Sequence, residues 1–323
     1  MHILHLKNVI KNVLIAIIVL SILCSCEWIR ITPNIDNSEN IADSEEKAPI
    51  TPPKVTPPPA PKKSYLNISV VGDIMTHGPQ IRSAKQTDGS YNFNSVFDEI
   101  KPYIETSDIA IGNLETTISN TQKGYGGYPL FRSPENLIEA LKYTGFDILT
   151  TANNHCLDGK EFGVKNTLDK LDEYGILHTG TARSQEESDK ILMIDKNDIK
   201  IAVLAYTYGT NGMEAAVSKD KLPYMVKYID MDKIKNDVNK AKSQGADVII
   251  ACMHWGVEYM REQNQEQKNM ANQLLDAGVD IVLGSHPHVL QPMEKKRITT
   301  EEGTEKNAFV IYSLGNFISN QRK

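Results

Sequence analysis

Acids, amides and imidazoles recur in this sequence at one kind of place, the end of a short apolar run. Gly72-Asp73-Ile74-Met75-Thr76-His77 closes the run Leu66–Val71, and Gly112-Asn113-Leu114-Glu115 closes Asp108–Ile111. Asn153-Asn154-His155 follows Asp147–Thr150, and Met253-His254-Trp255 follows Asp247–Cys252. Gly284-Ser285-His286-Pro287-His288 follows Asp280–Leu283, and Ser313-Leu314-Gly315-Asn316-Phe317 ends Ala308–Ser313. Of the 8 histidines, His2 and His5 open the chain, five lie in these segments and only His178 does not. Carboxylate oxygens and neutral imidazole nitrogens suit divalent Zn, Mn and Fe. Acids from two runs, an Asn amide and three histidines could fill two adjacent sites. Two ions roughly 3.5–4 Å apart clamp a phosphoryl or similar oxyanion. Taken singly, Gly72-Asp73 reads as a turn, Glu115 as a solvated acid and His254 beside Trp255 as a packed core histidine. Six such segments in one topological position point instead to a shared metal or anion site. Glycine beside each ligand is expected to let the backbone turn sharply.

The elements that must position these residues alternate. Asn94–Ile104, Pro134–Tyr143, Gly159–Tyr174, Met231–Ser243 and Gln265–Ala277 carry apolar residues at helical spacing. A further β-rich run, Lys200–Ala205, lies between them. Ser133 before Pro134 reads as a helix cap. Gly145, Gly175, Gly245 and Gly278 sit where left-handed helix stops are expected. Such alternation argues for an α/β domain with a largely parallel or mixed sheet, in which ligands bind beyond the carboxyl ends of the strands.

Three regions divide the 323 residues. Residues 1–25 read as an export signal, with Lys7 and Lys11 ahead of an apolar run from Val13 to Cys24 that is too short to span a bilayer. Leu23-Cys24-Ser25-Cys26 resembles a bacterial lipobox, which would make Cys26 the lipidated residue and tether the chain to the outer face of the cell membrane. Residues 26–64 form an extended linker holding eight of the 15 prolines. Residues 65–323 form the folded domain. Net charge is −6, and it becomes −8 without the two signal lysines, so nucleic acid is not an expected partner. Apolar residues at 40% and charged residues at 24% exclude a disordered or multi-span membrane chain.

The series Gly72-Asp73-Ile74-Met75, Gly112-Asn113-Leu114-Glu115, Asn153-Asn154-His155-Cys156-Leu157-Asp158, Met253-His254-Trp255-Gly256, Gly284-Ser285-His286-Pro287-His288 and Ser313-Leu314-Gly315-Asn316-Phe317 resembles the CapA (PgsA) family of capsule and poly-γ-glutamate synthesis proteins. Tyr206-Thr207-Tyr208-Gly209-Thr210-Asn211-Gly212 looks like a further family segment. That family in turn resembles calcineurin-like metallophosphoesterases. The resemblance implies an α/β/β/α sandwich and one or two divalent transition ions. By the same resemblance Asp73, Glu115, Asn154, His254, His286 and His288 are metal ligands, with Glu115 preferred to Asn113 at the bridge. It makes His155 the proton donor to the leaving group. Asp73 and Glu115 also count as catalytic.

The resemblance is incomplete. Phosphoesterases place a histidine two residues after the first aspartate, where this chain has Met75, and His77 could substitute. Family members continue through further strands, whereas this chain stops six residues after Phe317. A strand at Ala308–Ser313 with nothing after it would leave an unpaired edge, so the chain reads as truncated at its C-terminus. Tyr208, Asn211, Arg132 and Asn316 are candidate substrate contacts. Cys156 and Cys252 could pair, or stand as two small buried residues. Two functions compete. One is a metal-dependent hydrolase of a phosphoester or γ-glutamyl bond. The other is a non-catalytic scaffold that binds an anionic polymer such as poly-γ-glutamate beside membrane-bound synthase subunits.

Overall fold

The computed structural model describes residues 63–119, 124–299, 303 and 305–321. The export signal, Cys26 and nearly all of the proline-rich linker lie outside the described residues.

Two sheets carry the fold. The first has five parallel strands in the order β13-β1-β2-β5-β6: β1 (Ile68–Ile74), β2 (Ile109–Leu114), β5 (Ile148–Thr150), β6 (Leu177–Thr179) and β13 (Asn316–Ile318). The second has six, in the order β11-β12-β10-β9-β8-β7: β7 (Leu192–Lys196), β8 (Ile199–Thr207), β9 (Val248–His254), β10 (Ile281–Ser285), β11 (Met293–Thr299) and β12 (Glu305–Ile311). Its four central strands are parallel, and β7 and β11 pair antiparallel at the edges. A small parallel pair, β3 (Thr117–Ile118) and β4 (Arg132–Ser133), completes the set.

Strands buried on both faces read as near-continuous apolar runs, and all six residues of β2 are buried. Ile109, Ile111 and Ile148 of the first sheet pack against Ile201, Val203, Ile250, Leu283 and Ile311 of the second, forming the layer between them. Helices cover the outer faces. Helix α1 (Asn136–Thr144) and α2 (Lys160–Glu173) set Leu137, Leu141, Val164 and Leu168 on Ala110 and Leu149. Helix α3 (Met231–Ser243) and α4 (Gln265–Ala277) set Ile234, Val238, Ala271 and Leu274 on Ala202, Leu204 and Ala251. Each fully buried Leu or Ile contributes roughly 1.5–3 kcal/mol relative to exposure. The expected α/β/β/α sandwich is therefore present. Gly145 and Gly278 stop α1 and α4 at φ 102° and 112°, and Asn264 with Gln267 forms a capping box at the start of α4.

Several expectations change. Asn94–Ile104 is two short helices, Asn94–Phe97 and Lys101–Glu105, because the intervening turn lets Phe97 and Ile104 reach one core. Ser133 does not cap a helix; it lies in β4 and its buried hydroxyl bonds Thr76 and Thr116. β12 is not an edge strand, since β11 pairs along it from Met293 to Thr299. Glycine's role beside the site residues is close approach. A Cβ on Gly72 would stand 1.8 Å from the Gly315 carbonyl oxygen, and one on Gly284 1.9 Å from that of Tyr312. The crossover from β12 to β13 thus lies against one glycine of each sheet.

Candidate metal centre

The first sheet delivers the acids. Asp73 sits at the end of β1, where the register to both neighbours shifts, and is paired across the sheet with Asn113 and Asn316. Such irregularities re-aim side chains next to sites. Glu115 follows β2 and is tied back by its N–H to the Ile74 carbonyl at 3.0 Å. Both carboxylates are fully buried. Asn113 Nδ2 donates to Asp73 Oδ1 at 2.8 Å, and Asn153 Nδ2 donates to the Leu114 carbonyl at 2.8 Å, which braces the strand ends. Burial, followed by the charge of Asp73, pushes the Glu115 carboxyl well above its usual range.

The second sheet delivers imidazoles. His254 ends β9; its Nδ1 lies 3.0 Å from Ser285 Oγ and its Nε2 3.0 Å from Asn154 Oδ1. His286 and His288 follow β10 in left-handed conformations, φ 97° and 60°. His288 Nδ1 lies 3.0 Å from Asp73 Oδ2 and 3.0 Å from Asn316 Oδ1. Non-glycine residues held at positive φ cluster at ligand sites. Burial, reinforced by the neighbouring imidazoles, lowers His254 well below its ordinary value, and it lowers His286 to about 4. At neutral pH these rings are lone-pair donors.

Among the described residues, three overlapping groups have ligand atoms within 4.8 Å of one another: Glu115, His254 and His286; Asp73, Glu115 and His288; Glu258, His286 and His288. Glu115 belongs to two of them. Its Oε1 and the Nδ1 of His286 are buried without a hydrogen-bond partner, an arrangement that costs free energy unless a further group is bound. These oxygen and nitrogen donors fit a divalent transition ion.

His155 stands beside this cluster. Its Nδ1 meets Asp158 Oδ2 at 2.7 Å, the same oxygen accepts the Phe131 N–H at 2.6 Å, and the Phe131 ring packs edge-on at 4.7 Å. Burial raises the Asp158 carboxyl, an effect that the bond from His155 opposes. Sequence reasoning passed over Asp158, although its place three residues after His155 was a signal for an orienting acid. It also missed Glu258, whose exposed position on a loop gives no pattern.

The remaining candidates scatter around the centre. Tyr208 lies at the surface, its ring 4.6 Å from that of His286 and stacked at 6.2 Å on His254. Asn211 Oδ1 accepts from Asn154 Nδ2 at 3.4 Å, and Asn316 touches His288. Arg132 donates through Nε to the Gly124 carbonyl at 3.1 Å, and its charge acts on Asp158. Met75 is buried. His77 belongs to none of the three groups found among the described residues, and its Nδ1 accepts the Asn320 N–H at 3.2 Å. Cys156 and Cys252 are both free thiols. Cys156 packs under the helices of the first sheet and Cys252 between the sheets, and burial pushes both thiols up to about 12.

Among known proteins, the chain is 30% identical over 264 residues to the capsule biosynthesis protein CapA of Bacillus anthracis, covering 79% of this chain and 60% of that one. It is 30% identical over 260 residues to the PGA biosynthesis protein CapA of Bacillus subtilis (strain 168), covering 79% and 64%. It therefore spans less than two thirds of the length of these relatives. Among solved structures, the Haemophilus influenzae NAD nucleotidase NadN aligns at a TM-score of 0.45 with 15% identity, over 77% of this chain and 51% of that one. The profile of the bacterial capsule synthesis protein PGA_cap matches residues 67–321, nearly the whole described domain, and the chain belongs to that family.

Proposed function

We propose that this protein is a metal-dependent hydrolase of capsule or poly-γ-glutamate metabolism, acting on a phosphoester or γ-glutamyl bond. One observation carries the reading: Glu115 Oε1 and His286 Nδ1 are unpartnered and buried where donors from both sheets converge. The names of the Bacillus relatives supply the capsule and PGA connection, and fold alone does not fix a reaction.

Asp73, Glu115, Asn154, His254, His286 and His288 would hold one or two Mn, Zn or Fe ions. Bound there, a divalent ion supplies Lewis-acid polarisation of an acyl or phosphoryl oxygen. Asn113 fixes the Asp73 carboxylate through Oδ1, and Ser285 fixes the His254 ring. With Nδ1 committed to Asp158, His155 has Nε2 left to hold a proton for the leaving group. Tyr208 stands over His254 and His286 at the rim. Tyr208, Asn211, Asn316 and Arg132 are the proposed substrate contacts.

Lipidation of Cys26 would hold the protein at the extracellular face of the membrane, with residues 26–64 as spacer and membrane-bound synthase subunits as partners. A Cys26→Ala variant that stays membrane-bound would remove that part of the reading. Among the described residues no helix is long and apolar enough to cross a membrane.

Elemental analysis of the purified protein tests the centre. One or two equivalents of transition metal are expected, lost in a His286→Ala, His288→Ala double variant. A folded protein that binds no metal would sink the proposal. Met75 favours a second reading, a polymer-binding scaffold without catalysis. His155→Ala separates the two: lost polymer output with metal retained supports catalysis, and unchanged output supports the scaffold.

A further inference from the structure

The loop after β9 carries a carboxylate to the solvent side of the centre. Trp255 anchors the loop through its N–H to the Ser285 carbonyl at 3.1 Å and through Nε1 to the Tyr312 carbonyl at 2.9 Å. The Tyr259 N–H reaches the Pro287 carbonyl at 2.8 Å, between the two histidines. Gln291 Nε2 holds the Met260 carbonyl at 2.9 Å. Glu258, between these fixed points, is exposed. Its carboxylate nevertheless comes within 4.8 Å of ring nitrogens of both His286 and His288, and the side chain of Tyr259 hydrogen-bonds it. An exposed acid with no task would be free to point into water. This one is held on a loop pinned at several backbone points, and Tyr259 adopts φ 65° to keep it there.

We propose that Glu258 is a metal ligand at the rim of the centre, supplying the donor that Met75 does not. Glu258 shares His286 with the group of Glu115 and His254, and His288 with the group of Asp73 and Glu115. It therefore faces both groups from the solvent side, as Glu115 does from the buried side. His286, which shares this group with the carboxylate, also carries a buried ring nitrogen, Nδ1, that has no hydrogen-bond partner. A third anionic donor also lowers the excess positive charge that two divalent ions would leave on Asp73 and Glu115 alone.

This inference rests on the proposed metal centre, and the test separates the two. The full chain is stripped of metal and titrated with Mn²⁺ by calorimetry, with elemental analysis of the dialysed product. Glu258→Gln is expected to weaken at least one binding event by about tenfold or more, with the thermal midpoint of the metal-free protein unchanged. Glu258→Asp keeps the charge but shortens the reach, so ligation predicts that it too binds more weakly. Wild-type affinity in Glu258→Asp beside weakened Glu258→Gln would reduce the residue to a distant charge and overturn the proposal. Wild-type affinity in both variants, with metal lost in His286→Ala, would overturn it while leaving the centre standing. No Mn²⁺ uptake by the folded wild-type chain would overturn both.

Discussion

The two sheets meet at one centre but bring different chemistry to it. The first sheet contributes oxygen donors, Asp73, Glu115 and Asn154, and the second contributes nitrogen donors, His254, His286 and His288. Burial acts on the two halves in opposite directions, because it disfavours whichever form is charged. Glu115 is raised, and His254 and His286 are lowered. Glu258, His286 and His288 all follow strands of the second sheet, whereas the other two groups need both sheets. Each group that contains Glu115 draws histidine from the other sheet, so assembly of the centre reports directly on packing between the sheets.

The sharpest way to break this comparison is to remove the one acid common to two groups. Glu115→Gln disables both groups that draw on the first sheet and should cost more of the metal measured by elemental analysis than His254→Ala, which disables one. His155→Ala should lower hydrolysis of a cleavable substrate by about 10³-fold with metal content unchanged, since His155 joins none of the groups. Retained activity would assign the proton transfer elsewhere. Gly72→Ala and Gly284→Ala should each destabilise by about 3 kcal/mol in chemical denaturation, because in both the obstacle is a backbone carbonyl that cannot rotate away. Equal losses would show that the crossover strand braces both sheets alike.

Proton linkage distinguishes the halves in metal-free protein. His254 and His286 lie below the ordinary 6.5 when folded, so the unfolded chain takes their protons first. Their contribution is complete above about pH 6.5 and is lost as pH falls below it, for His286 down to about 4. Glu115 lies above the ordinary 4.5, so its contribution is complete below that pH and is lost as pH rises through the raised value. Denaturation across pH should therefore show opposing slopes, and Glu115→Gln should remove the one that falls with rising pH. The smallest effect is expected for Ser285→Ala, which frees the His254 ring and should weaken metal binding by about tenfold.

Much of this was readable beforehand for identifiable reasons. Strands buried on both faces leave unbroken apolar runs, so β2, β9 and β10 stood out, and the polar segments after them marked the site. Gly145 and Gly278 marked helix ends because only a left-handed residue closes those turns cheaply. β7 and β11 were not legible, since edge strands need only one apolar face. β11 alternates exposed and half-buried residues, Met293 to Thr299. Ser133 read as a cap because a serine before a proline suits one, but burial beside Thr76 and Thr116 took its hydroxyl. The unpaired edge expected at β12 did not arise, because its partner β11 precedes it in the chain.

The sequence by itself determined which residue types could bind metal and that each would stand at a strand's carboxyl end, because local apolar patterning fixes strands and their order fixes direction. It also determined the family, through segments whose order and spacing are specific together. The tertiary structure alone decided that Glu115 is shared between groups, that Asp158 orients His155, that His77 joins none of the ligand groups and that Glu258 reaches the rim. Those are distances between atoms separated by many residues, and they depend on how two sheets pack and where a loop is pinned, which no local pattern encodes.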